Sequence, residues 1–155
     1  MAGRRINIDS SLVDFVKELT DSESDRRIFD TMAHCLTFAA AYGFKKNRRE
    51  KVNKAPNNKV DPIAFHIFEN HRFDSIFTML AMASVDDPKT VLGSDGGKPD
   101  IRVGIFEEYA KGGLSQLRDE IKGMVDYLDP ITQILLIDED IKKGSGGFEL
   151  SDLEV

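Results

Sequence analysis

The sequence has a single cysteine and no tryptophan among its 155 residues. A disulfide within the chain requires two cysteines, so none can form, and zinc sites built from several thiolates are excluded as well. The lone thiol, Cys35, fits a reducing compartment. No apolar run approaches the roughly 20 residues that cross a bilayer, and no signal-peptide hydrophobic stretch follows Arg4 and Arg5. We therefore expect a cytoplasmic protein without a membrane-spanning segment.

What the chain does contain is typical of one soluble globular domain. Apolar residues make up 41% of it and charged residues 31%, which is neither a disordered nor a membrane composition. Apolar side chains recur three and four positions apart over most of the length, as in Leu114, Leu117 and Ile121, and this period predicts amphipathic helices. The sequence therefore predicts a mainly α protein.

Helix boundaries are indicated by proline and glycine. Asp-Pro pairs at 61–62, 87–88 and 129–130 predict helix starts, because Asp can cap a helix and Pro fits its first position. We interpret Gly43 and the pair Gly112–Gly113 as helix ends, where a left-handed turn favours glycine.

Strand alternation is confined to residues 4–9, where Ile6 and Ile8 alternate with polar residues. The expected architecture is a compact multi-helix single domain over residues 1–143, with at most one short N-terminal strand. A flexible, Gly-rich and acidic tail is expected over residues 144–155.

Three patterns that could indicate a metal or phosphate site lack the required spacing or the required residues. His66 and His71 are five positions apart, whereas a zinc-protease helix needs two histidines four apart. Residues 138–149 have acidic residues at three calcium-loop positions, but lysines occupy the fifth position and the place of the turn glycine. The Gly-Gly-Lys before Pro99 lacks the Ser or Thr of a phosphate loop.

The remaining candidates for catalysis also favour structural roles. Cys35 is adjacent to His34 on a predicted helix, so the two side chains diverge and cannot form a catalytic pair. Glu107 and Glu108 are expected on a solvated helix face rather than as an acid–base pair. We therefore predict no enzymatic activity, no cofactor and no metal.

Charge is distributed unevenly along the chain. Residues 1–60 hold twelve Lys and Arg against eight Asp and Glu, a net of +4, and residues 61–155 hold nine against nineteen, a net of −10. This polarity indicates a basic face for an anionic partner, two halves that attract each other, or chance placement of solvated charge.

The positive charge is concentrated in residues 45–54, which we name the basic segment. It follows a predicted helix, where cations favour the negative end of the helix dipole, so a structural or protein-facing role is one interpretation. Contact with DNA phosphates is the other. No aromatic residue interleaves with the cations, so stacking on single strands is not indicated. The candidate binding residues are Lys45, Lys46, Arg48, Arg49, Lys51 and Lys54, helped by Arg4 and Arg5.

The order strand, helix, helix over residues 4–44 also resembles a ribbon-helix-helix unit. In such proteins two chains pair their strands and insert the ribbon into the major groove. Arg5 and Asn7 would then face bases. The acidic loop TDSESDRR and the hundred residues that follow speak against this alternative.

Three blocks of the sequence resemble one known family. They are TFAAAYGFKKNRR (37–49), DPIAFHIFENHRFDSIFTMLAMASVDDPKTVL (61–92), and IFEEYAKGGLSQLRDEIKG with VDYL close behind it (105–128). In order and content they resemble DNA phosphorothioation-associated protein 4, an accessory family of systems that replace a non-bridging phosphate oxygen of DNA by sulfur. The resemblance covers roughly residues 5–137.

The resemblance implies a bacterial defence context, with partners among DNA modification and restriction proteins, and implies no catalytic residues. Independently, one cysteine argues against sulfur transfer or iron–sulfur chemistry in this chain. We expect a non-catalytic accessory protein that contacts the DNA backbone or a partner subunit through the basic segment, as a monomer or an oligomer. The alternatives are a ribbon-helix-helix-like transcriptional regulator and a purely protein-binding adaptor.

Overall fold

Helices dominate the structure, as the apolar periodicity predicts. The computed structural model describes residues 4–53, 61–87, 89, 101–134 and 136. Within these residues the mainly α prediction is confirmed, and no helix is long and apolar enough to cross a membrane. The predicted tail, residues 144–155, lies outside the described part of the chain. In chain order the elements are β1 (Arg5–Ile6), α1 (Val13–Thr20), α2 (Met32–Lys45), β2 (Ile63–Ala64), α3 (Phe65–Asn70), α4 (Asp74–Ser84), α5 (Ile101–Ile121) and α6 (128–134).

The N-terminal strand has a partner that the sequence did not indicate. β1 pairs antiparallel with β2, with Arg5 opposite Ala64 and Ile6 opposite Ile63. Ile6 and Ile8 are buried, as the alternation predicts. Two residues are too few to produce an alternating pattern, so β2 could not be recognised. The expectation of at most one strand is therefore corrected to a two-stranded sheet.

The Asp-Pro pairs lie near helix starts but do not mark all of them. The pair at 61–62 leads into β2, and α3 begins only at Phe65. At α6 the capping carboxylate belongs to Asp126, which accepts the Leu128 N–H at 3.0 Å. The start of α2 depends on Thr31, whose hydroxyl accepts the His34 N–H at 3.2 Å.

Two helices, α2 and α5, touch through their backbones. A Cβ atom at Gly113 would overlap the carbonyl oxygen of Ala39, and one at Gly43 would overlap that of Tyr109. Only glycine lets two main chains approach this closely. α5 also packs against α4, where the rings of Phe77 and Phe106 stack with centroids 3.8 Å apart.

The glycines interpreted as helix ends serve this contact instead. Gly43 lies inside α2, and α5 continues through Gly112 and Gly113 to Ile121. The left-handed turn after α2 is made by Asn47, with φ 52°, and the turn after α5 by Gly123, with φ 84°. Glycine is favoured both at helix ends and at close helix contacts, and the sequence alone did not separate the two roles.

The backbone contact predicts unequal effects of two alanine substitutions in one helix. Gly113→Ala should lower the free energy of unfolding by more than about 3 kcal/mol, because the added methyl group meets rigid backbone. The matched control is Gly104→Ala in the same helix, where the methyl group has no neighbour within 4 Å among the described atoms. It should be neutral or stabilising by up to about 1 kcal/mol. Urea unfolding of both variants measures the difference, and equal effects would contradict the close approach.

Candidate functional site

The basic segment leaves α2 and runs along α5, so its arginines meet acidic side chains. Arg48 donates from Nε to Glu50 Oε2 at 2.9 Å and from Nη1 to Asp119 Oδ2 at 3.2 Å. A third bond joins Nη1 to Gln116 Oε1 at 3.1 Å. Partial burial opposes the charge, yet the bonds to Asp119 and Glu50 raise the pKa of Arg48 above its ordinary value. This arginine is held by its own chain.

Arg49 is paired in the same way. Its Nε donates to Glu108 Oε2 in an ion pair, and its guanidinium lies over the ring of Tyr109, 5.6 Å from the centroid. The backbone follows the side chains, since Glu50 N donates to the Glu108 carbonyl oxygen at 3.2 Å. Glu108 was expected on a solvated helix face; its carboxylate is partly exposed and pairs with Arg49.

The lysines of the segment are more exposed. Lys46 Nζ lies 5.7 Å from the centroid of the Tyr42 ring, and the side chain of Lys45 is exposed at the end of α2. The exposed Lys51 contributes its carbonyl oxygen, which accepts a bond from Lys111 Nζ at 2.6 Å. Lys54 lies outside the described residues.

The remaining predicted site residues, Arg4 and Arg5, lie at the two-stranded sheet. The Arg4 guanidinium is 4.7 Å from the centroid of the Phe65 ring, and Arg5 is exposed opposite Ala64. The structure thus brings Arg48 and Arg49 together against acidic residues of α5, and it places Arg5 in β1 and Arg4 directly before it.

A buried carboxylate that the sequence did not indicate joins three parts of the chain. Asp9 is 3% exposed and accepts bonds from Asn53 N at 2.6 Å, from Lys111 Nζ at 3.0 Å and from both the amide and the hydroxyl of Ser11. Burial opposes ionisation, but the bonds from Ser11, Asn53 and Lys111 lower the pKa of Asp9 to about 2. Asp9 therefore ties the N-terminal segment and the basic segment to α5.

A second buried carboxylate corrects an expectation. Glu107 is 5% exposed, not solvated, and its Oε2 accepts the Asn7 N–H at 2.6 Å. The signal was present in the sequence, because Glu107 continues the buried stripe of Val103, Ala110 and Leu114 at spacings of four, three and four.

The other candidate groups have structural surroundings. Burial raises the pKa of the Cys35 thiol to about 12, so it stays protonated near neutral pH. His71 contacts His34, with ring centroids 4.6 Å apart, rather than His66. Among the residues that the structure describes, no three His, Cys, Asp or Glu side chains are grouped as a metal site would need.

The strand that the ribbon-helix-helix alternative needs makes contacts within its own chain. One edge of β1 is paired with β2, and the amide of the next residue, Asn7, donates to Glu107. These contacts favour the other interpretations over a ribbon formed between two chains.

Comparison with known proteins identifies a family. The model of the family described as DNA sulphur modification system-associated protein 4 matches residues 5–153. No curated protein and no solved structure matches the chain. The resemblance found in the three sequence blocks is thereby confirmed.

Asp9 predicts a specific pH dependence of stability. Its folded pKa is lowered from the ordinary 3.8 to about 2, so its stabilisation is present above about pH 4 and is lost as the pH falls through 2. Asp9→Asn should lower the free energy of unfolding by roughly 2 kcal/mol near pH 7 and by less at pH 2.5. Urea unfolding across this range measures the effect, with the exposed Asp86→Asn as control. A deficit that is constant with pH would contradict the assignment.

Proposed function

This chain belongs to the DNA sulphur modification system-associated protein 4 family, and we propose on that basis that it is a non-catalytic accessory protein. Its task is to bind another protein of a DNA sulphur modification system. We place it in the bacterial cytoplasm, in the defence against foreign DNA that the sequence resemblance implies.

The use of the buried acidic groups supports a non-catalytic role. Asp9 and Glu107 both accept backbone N–H groups, so they satisfy the main chain rather than face an open cleft. The protonated Cys35 is enclosed in the core. Each of these groups has a structural explanation.

The ion pairs of the basic segment are the observation that favours a protein partner over DNA. A protein gains affinity for DNA when its Lys and Arg side chains replace the counterions bound to the phosphates. These side chains must therefore be free to reach the phosphates. Arg48 and Arg49 already face Glu50, Asp119 and Glu108, so a phosphate would have to displace a carboxylate and would meet the negative charge left behind. The densest part of the segment is thus neutralised by its own chain.

The exposed lysines favour DNA contact as a second candidate. Lys45, Lys46 and Lys51 are exposed and could approach a phosphate backbone without breaking an arginine pair. Such contacts would provide affinity without sequence choice. The experiment must distinguish DNA contact from binding to a protein partner.

Fluorescence anisotropy of labelled duplex DNA, with and without phosphorothioate, distinguishes the two candidate functions. We expect the wild type to show no steeply salt-dependent binding to either duplex. Two variants extend the test, Lys45/Lys46/Lys51→Ala and Arg48/Arg49→Ala. The arginine variant should have a lower Tm than the wild type, because its pairs hold the segment against α5, and the lysine variant should lose less.

The proposal also has a positive readout. The purified chain should co-elute in size-exclusion chromatography with one purified protein of the DNA sulphur modification system. DNA binding that falls with salt and loses about three units of slope in the lysine variant would instead establish the DNA-contact rival. The absence of any co-eluting protein would also overturn the proposal.

A further inference from the structure

A cavity of about 340 Å³ opens between α1 and the C-terminal end of α5. Its floor is apolar and consists of Phe15, Ile121 and Tyr127, which are all largely buried. Phe15 and Tyr127 meet edge to face with centroids 6.4 Å apart, so the floor is packed as part of the core. This volume suits one or two side chains of a bound protein segment.

The two walls of the cavity carry opposite charges. α1 contributes Asp14 and Glu18, which are four residues apart and so lie on one face of the helix. The other wall contains Arg118 near the end of α5 and Lys122 in the turn directly after it. The cavity therefore has a negative side and a positive side with an apolar floor between them.

The walls do not neutralise each other. Among the described residues, Glu18 pairs with Arg26, and Arg118 donates to the Ser11 carbonyl oxygen at 3.3 Å. The same described part of the chain gives Asp14 and Lys122 neither an ion pair nor a side-chain hydrogen bond. This differs from the basic segment, where the opposite charges are already matched.

Exposed apolar side chains continue the floor outward. Val125 is 84% exposed and Leu128 is 56% exposed, two and five positions after the cavity residue Gly123. Their turn is fixed by Arg26, whose Nε donates to the Val125 carbonyl oxygen at 3.3 Å and whose guanidinium lies 5.0 Å from the Tyr127 ring centroid. The apolar rim is thus held in place beside the cavity.

We propose that this cavity and its rim are the docking site for the partner protein, a refinement that rests on the proposed function. The occupant is a protein segment with an apolar side chain on the floor, a cation facing Asp14 and a carboxylate facing Lys122. The charge pattern selects this occupant, because a nucleic acid backbone would be repelled by the negative wall. The apolar rim enlarges the contact beyond a small molecule.

Site-specific photo-crosslinking provides the first test. A benzoylphenylalanine residue at position 125, in place of Val125, should crosslink to the purified system protein that co-elutes with the chain. The matched control replaces Met79, which is 64% exposed on α4. α4 packs near Phe106 of α5, far along the helix from the cavity end, so this position should give no crosslink.

Charge reversal gives an independent readout. Asp14→Lys and Lys122→Glu should each weaken binding of that protein by about tenfold or more, and Asp86→Lys, an exposed carboxylate on another part of the surface, should not. All three side chains are exposed, so the variants should fold like the wild type. A small decrease in Tm is expected for Asp14→Lys and Lys122→Glu, because both reversals oppose a helix dipole.

The outcomes separate the two proposals. Crosslinking from position 79 alone, crosslinking from position 125 to a second copy of this chain, or unchanged affinity in both cavity variants would overturn the docking site and leave the accessory role intact. The absence of any co-eluting system protein would overturn the accessory role itself.

Discussion

The backbone contact between α2 and α5 is the constraint on which the rest of the structure depends. Gly43 and Gly113 allow the two main chains to touch, and Gly112 does the same for the carbonyl group of Arg48. A larger residue at any of these positions would move α5 away from the chain that follows α2. The carboxylates of α5 would then lie out of reach of the basic segment. Close helix packing therefore determines which charges can meet.

The uneven charge of the sequence is explained in large part within the chain. The basic first part and the acidic second part meet through Arg48 with Asp119 and Arg49 with Glu108. Asp9 and Lys111 form the reverse pairing. Of the three interpretations that the sequence left open, the attraction between two halves is the one with direct contacts. Exposed pairs of this kind contribute little to stability individually, so their main effect is to place the segment.

The helices could be predicted from the sequence because their signal is local. A buried stripe such as Leu114, Leu117 and Ile121 is visible in a short window. The roles of Gly43, Arg49 and Asp9 were not predictable, because each depends on a residue that is far away along the chain. The cavity was not predictable for the same reason, since α1 and the end of α5 are about a hundred residues apart. Sequence patterns described the elements, and only the fold showed which of them meet.

The long-range contacts of the N-terminal segment affect how the protein folds during its synthesis. Asn7 bonds to Glu107, Ser11 to Arg118 and Glu18 to Tyr127, so the sequence separation of each pair is 100 residues or more. Contacts this distant along the chain close large loops and form late in folding. On the ribosome, these N-terminal residues cannot make the contacts before Glu107, Arg118 and Tyr127 have been synthesised. The domain therefore cannot complete its fold from its N-terminus onward.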